Sequence, residues 1–114
     1  MLEPNRRITS ASDWKRLHTR GRLVRSPIIV LKVVRTEREY TRFGFSISTK
    51  ASKHATVRNR IKRQLRAIVR ELSDSIIEGY DIGVLVRPAI VGRQYGNIAK
   101  TLTLLLRQAG VVRK

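Results

Sequence analysis

Residues 55–72 carry a pattern that admits few structures. At about 100° per residue, Ile61, Leu65, Ile68, Val69 and Leu72 fall on one side of a helix, the spacing of a buried stripe. Asn59, Arg63, Arg66 and Arg70 gather on the opposite side, with Arg60 and Lys62 flanking them. No Asp or Glu occurs from Tyr40 to Arg70. The helix therefore forgoes the i,i+4 pairs of opposite charge that stabilise exposed helices and bears like-charge repulsion instead. It is predicted over 56–73, with its apolar stripe packed inward and its cations turned toward an anionic polymer.

A single basic helix is often no more than a solvated face. The whole chain argues otherwise: 25 Lys and Arg stand against 8 Asp and Glu, a net charge of +17 on 114 residues. Self-repulsion of that size weakens a compact state and is relieved when a phosphate backbone neutralises it. Arg dominates at the key positions, and its planar fork binds phosphate bidentately and stacks on bases. Nucleic acid is the expected partner. A membrane is not, because no basic helix here has the Trp- and Phe-rich face that inserts at an interface.

At 41% hydrophobic residues the chain reads as one globular domain over 1–114. It has no cysteine, which removes disulfides and thiolate metal sites. No apolar leader stretch opens it and no run is long enough to span a bilayer, so a cytoplasmic location is expected. Ser10 and Asp13 mark a helix start, with Asp13 explained by the positive end of the helix dipole and Gly21 as the stop. Residues 28–34 and 42–48 read as strands joined by a polar turn, a hairpin. In the second strand Phe43, Phe45 and Ile47 alternate with Arg42, Gly44, Ser46 and Ser48. Residues 80–86 form another strand, and a helix over 95–109 carries Ile98, Leu102, Leu105 and Leu106 as its core stripe, with Gly110 as its C′ residue. A short strand at Leu23 and Val24 is weakly signalled.

Catalytic chemistry is missing. His18 and His54 have no partner ligand at metal spacing, and the acids are scattered, with no cluster for two-metal phosphoryl transfer. No nucleophile elbow or glycine-rich phosphate loop is present. No catalytic residue and no metal ligand is therefore assigned, and the chain reads as a binding module.

The run Ala55-x-x-Arg58-Asn59-Arg60-Ile61-Lys62-Arg63-x-x-Arg66 resembles the signature of the bacterial ribonuclease P protein component. Arg7-Ile8, Asp13-Trp14 and Gly21 resemble that family's opening segment. Phe43-Gly44-Phe45-Ser46-Ile47-Ser48 with Lys50, and 81–87, resemble its strands. The resemblance implies an α+β fold, a small α/β sandwich of about four mixed strands with three helices in the order αβββαβα, similar to the second domain of ribosomal protein S5. It implies that the basic helix joins two parallel neighbouring strands. It also implies a partner, the ribonuclease P RNA subunit, which with magnesium hydrolyses the 5′ leader from precursor tRNA; the protein side chains hold no cofactor.

Carried over by position, Arg58, Asn59, Arg60, Lys62, Arg63 and Arg66 would face the catalytic RNA, with Arg70 continuing that face. Trp14, His18, Lys32, Ser48, Lys50 and Arg87 would line a cleft for the precursor leader. His18 stands where the family commonly has Phe, Lys32 where an aromatic is frequent, and Thr49 in place of the first of a common basic pair. Such a cleft leans more on phosphate contacts. Trp14 has two readings, a stacking plane in the cleft or a plug beneath the first helix, and His18 is read either as a leader contact or as a half-buried surface residue. The alternative class is a small basic ribosomal protein binding ribosomal RNA. A DNA-binding regulator fits less well, since no second helix sits at short turn spacing before the basic one.

Overall fold

A computed structural model of the chain describes residues 6–113. The segment read above for an apolar leader lies mostly outside them. In chain order the elements are α1 (Ala11–Arg20), β1 (Arg22–Arg25), β2 (Ile29–Arg35), β3 (Arg42–Ser46), α2 (Ala55–Glu71), β4 (Tyr80–Val86) and α3 (Tyr95–Gln108). Short 3-10 turns at Ser73–Ser75 and Pro88–Ile90 flank β4. The order αβββαβα is as expected, the weakly signalled strand included.

The predicted hairpin is not formed. The strands lie in the order β1-β2-β4-β3, so β4 separates β2 from β3. β1 and β2 make the actual hairpin, pairing antiparallel from Arg22–Val33 to Arg25–Val30. β4 runs antiparallel to β2 and parallel to β3, and α2 is the connection between the two parallel neighbours. The reason lies in β4 itself. Its run Ile82-Gly83-Val84-Leu85-Val86 is apolar on both faces, which suits an interior strand, whereas β3, which carries Arg42 on one face, lies at the edge.

Alternation assigns the two faces of the sheet. Ile29, Leu31 and Val33 of β2, Ile82, Val84 and Val86 of β4, and Phe43 of β3 join the main core. Against them pack Ile61, Leu65, Ile68 and Val69 of α2 and the four predicted residues of α3, all at 2% exposure or less. The intervening residues, Lys32, Gly83 and Gly44 among them, face α1, whose Leu17 is fully buried. Arg42 and Gly44, read as one row with Ser46 and Ser48, are covered by α1. Ahead of α1, Arg7 bridges to Phe43, and the Ile8 N–H donates to the Phe43 carbonyl at 2.9 Å. That segment covers part of the β3 edge, which would otherwise offer free backbone groups.

The helix ends divide. Ser10 caps α1 as expected, its hydroxyl accepting from the Asp13 N–H at 3.1 Å. Gly110 has φ +76°, the left-handed residue predicted after α3. Gly21 stops α1 as expected, but with an extended backbone (φ −69°, ψ 138°) and not a left-handed one. Glycine is needed there for room, since a Cβ would fall 2.3 Å from the Leu17 carbonyl oxygen and 3.3 Å from Lys32 Cβ.

Candidate nucleic-acid interface

Two groups of predicted residues lie on opposite sides of the sheet, because α1 covers one face and α2 with α3 the other. On the α1 side, Trp14 rests on a platform made by glycines. Gly44 and Gly83 are register partners on β3 and β4. A Cβ on Gly44 would sit 2.6 Å from Trp14 Cζ2, and one on Gly83 3.0 Å from Cζ3. Only a sheet without side chains at both points lets the ring lie this close. The half-buried Trp14 stacks on His18 with centroids 5.9 Å apart and planes at 27°. One edge of Trp14 packs on the sheet while its ring meets His18.

Lys32 sits 2.7 Å from His18 Nδ1. An ammonium has no acceptor capacity, so Lys32 donates and Nδ1 accepts, which places the imidazole proton on Nε2. Trp14, His18 and Lys32 form one contact group. Ser48, Lys50 and Arg87 do not join it. They are exposed, beyond the final β3–β4 pair Ser46–Leu85, where the Ser48 hydroxyl accepts from the Lys50 N–H at 3.2 Å. Between the two groups the α1-facing surface of the sheet is open, with Val30 and Leu85 half-buried and Ser46 exposed. The sequence reading missed this strip, and missed the paired glycines; glycine inside two strand patterns was the available signal.

A buried ion network fixes α1 in place. Arg42 donates through Nε and Nη2 to the two Asp81 carboxylate oxygens at 2.9 and 2.7 Å, and Nη2 lies 3.0 Å from Asp13. Arg16 holds the other Asp13 oxygen at 2.9 Å, and the Ser10 hydroxyl donates to Asp13 at 2.9 Å. Asp13 is 8% exposed and links α1 to β3, a role beyond the dipole effect assigned from sequence. Burial works against its charge, but the Ser10 hydroxyl and the Arg42 guanidinium outweigh it and hold the carboxyl below the usual range. Asp81 in turn raises the Arg42 pKa against the opposing effect of burial.

On the other side, α2 starts at His54 with no side-chain cap bond and no acid in its first turn. The positive end of its dipole thus adds to the cations around it. Asn59, Arg60, Arg63 and Arg70 are exposed, while Arg58 is half-buried, its Nη1 donating to the Ser52 carbonyl at 2.9 Å. Lys62 and Arg66, predicted with the outer face, are half-buried and line a cavity of about 210 Å³ with Arg7 and Phe45. Arg66 Nε is buried there without a hydrogen-bond partner. Long side chains let a residue placed on the outer face by its Cα lean toward β3.

Among the described residues no three His, Asp or Glu come together in a metal-ligand group, and no helix is long and apolar enough to cross a membrane.

The sequence profile of the ribonuclease P family matches residues 2–110. The ribonuclease P protein component of Synechocystis sp. is 33% identical over 93% of this chain and 86% of its own length. That of Syntrophomonas wolfei is 31% identical over 97% and 92%. The structure of the Staphylococcus aureus ribonuclease P protein superposes with a TM-score of 0.86 at 28% identity, covering 95% of this chain and 98% of that one. The Thermotoga maritima protein gives 0.79 at 25% identity, covering 89% and 96%. A chain with this fold, a bare cationic helix and matches along nearly its whole length belongs to the ribonuclease P protein family, the protein subunit of the ribonucleoprotein that processes the 5′ end of tRNA.

Proposed function

We propose that this subunit holds two RNAs on opposite sides of its sheet. The cationic side of α2, with Asn59, Arg60, Arg63 and Arg70 exposed and Arg58, Lys62 and Arg66 half-buried at its flanks, binds the catalytic RNA. The strip between α1 and the sheet takes the 5′ leader of precursor tRNA, with a base stacked at Trp14 and His18 and phosphates met by Lys32, Lys50 and Arg87. Ser48 supplies a hydroxyl at the far end. The observation that carries the reading is the pairing of ring and charge: a stacked Trp14–His18 couple fixed beside an ammonium, over open sheet. Rings and cations in a groove are how single strands are held without strict sequence preference.

Hydrolysis is assigned to the RNA subunit, which would hold the magnesium that activates the attacking water. The protein contributes by binding and orienting substrate, and the fixed Nε2–H of His18 gives the leader a donor.

The test compares holoenzymes reconstituted with wild-type protein or Trp14→Ala. Affinity for precursor tRNA should fall by about 1–3 kcal/mol if a base stacks there, while mature tRNA, which has no leader, binds unchanged. Melting is followed in parallel. A variant that loses stability yet keeps the full precursor-over-mature preference assigns Trp14 to the core alone and refutes the cleft. The protein without RNA should show no cleavage; activity surviving nuclease treatment would overturn the division of labour.

A further inference from the structure

The two flanks of α1 differ in kind. Trp14 and His18, one helical turn apart, occupy the flank toward the open sheet, and Arg16 and Arg20, also one turn apart, occupy the other. On that second flank lies a groove of about 600 Å³ between α1, the end of β2 and the turn that follows it. Arg16, Arg20, Arg35 and Arg38 line it, with Val34 as its aliphatic wall and Glu37 as the one acid among its described lining residues.

Three of these guanidiniums are held from behind. Arg16 is bonded to Asp13 at 2.9 Å, and Arg38 lies 3.6 Å from Asp81. Arg35 sits 5.4 Å over the Tyr80 ring. Each keeps N–H groups for a further acceptor, and a fork already in place loses little freedom on binding. Arg20 forms no ion pair among the described residues. Positive charge also exceeds what the protein neutralises internally. Among the described residues, the four lining guanidiniums and the buried Arg42 face Asp13, Asp81 and Glu37.

We propose that this groove is a second phosphate-backbone site and holds leader nucleotides further from the cleavage site than those at Trp14 and His18. The inference rests on the leader reading given above. Among the described residues no aromatic side chain lines the groove, so it meets phosphates and does not read bases. The leader, and not the catalytic RNA, is the occupant because the groove is on the α1 side of the sheet, away from α2. A helix is about 10–12 Å across with its side chains, so a few nucleotides passing over its outer face, where Lys15 is exposed, connect the two flanks.

The experiment uses holoenzyme and two precursor tRNAs, one with a leader just reaching Trp14 and one extended by several uridines. Arg20→Glu with Arg35→Glu is compared with Lys100→Glu plus Arg107→Glu, an equal charge change on the distant α3. In the wild type, extension should tighten binding and steepen its salt dependence by about 0.7 for each added phosphate contact. The groove variant should lose that increment and bind the short leader like the α3 control. Arg20→Gln with Arg35→Gln provides the same reading should the reversal impair folding. Equal losses for both leaders in groove and control variants would reduce the groove to general charge and overturn the proposal, as would a wild type indifferent to extension. Weakened binding of the RNA subunit alone by the groove variant would move the site to the other RNA. A wild type that binds short-leader and mature tRNA equally refutes the cleft itself, a separate failure.

Discussion

Gly44→Ala should disable the cleft without touching a polar group. The new methyl would lie 2.6 Å from Trp14 Cζ2, 3.1 Å from Cη2 and 3.1 Å from Ile8 Cβ. Comfortable carbon contacts lie at about 3.5–4.0 Å, so the ring has to retreat by about 1 Å. Its escape is restricted, since Gly83 lies under its Cζ3 edge and His18 stacks on it. The remaining route lifts α1 against the Asp13–Arg42 contact. Overpacking of this kind costs about 1–3 kcal/mol, and for a chain of this size each kcal/mol lowers Tm by about 4 °C. The displaced ring should also lose its base, weakening precursor binding by about five- to 150-fold, the equivalent of 1–3 kcal/mol. Mature tRNA should bind as before. The matched control is Gly96→Ala in the first turn of α3, where a Cβ meets nothing within 4 Å and φ is not positive. It should gain about 0.4–1 kcal/mol. Thermal melting and competition between precursor and mature tRNA read both effects. A Gly44→Ala protein with wild-type Tm and an intact leader preference would refute the glycine platform.

Arg63→Ala with Arg66→Ala should weaken binding of the RNA subunit and lower its salt slope by nearly one per lost phosphate contact, with little change in melting. Leu65→Ala, at a fully buried position, should do the reverse, costing about 2–5 kcal/mol of stability while its folded fraction binds RNA normally. Acid should also loosen α1. Because the Asp13 carboxyl is held below its ordinary value in the fold, its contribution is complete above the usual carboxylate range, near pH 4. It is lost as pH falls through the native value. Asp13→Asn should therefore be less stable at neutral pH and show a shallower loss below about pH 4; an unchanged acid slope would show that Asp13 carries none of it.

The stripes of α2 and α3 were legible because a period of 3.6 residues is local: Ile61, Leu65, Ile68 and Val69 are buried as their spacing requires. Strand order was not, since β2 and β3 are joined to each other only through Tyr80–Val86, and pairing across such a gap leaves no local mark. The two-faced apolar run of β4 was the one hint. In the candidate site, the identities of Trp14, His18 and Lys32 could be named from the motif. Their mutual contact depends on Gly44 falling opposite Gly83, a register that no single strand encodes. Asp13 showed the same limit. Its cap position was visible, but its partner Arg42 lies beyond two strands.

The insertion of β4 between β2 and β3 also governs the order in which the chain can become a protein. During synthesis, at about 5–20 residues per second, β2, β3 and the whole of α2 emerge before the strand that unites them. For that interval two strand edges lack their partner and the stripe of α2 has no completed sheet to cover it, a template for association with other nascent chains. Nine cations and no acid lie between Tyr40 and Arg70, the part of the chain made during that wait. Mutual repulsion keeps such chains apart. The charge that suits the finished subunit to RNA thereby also protects it while it is incomplete.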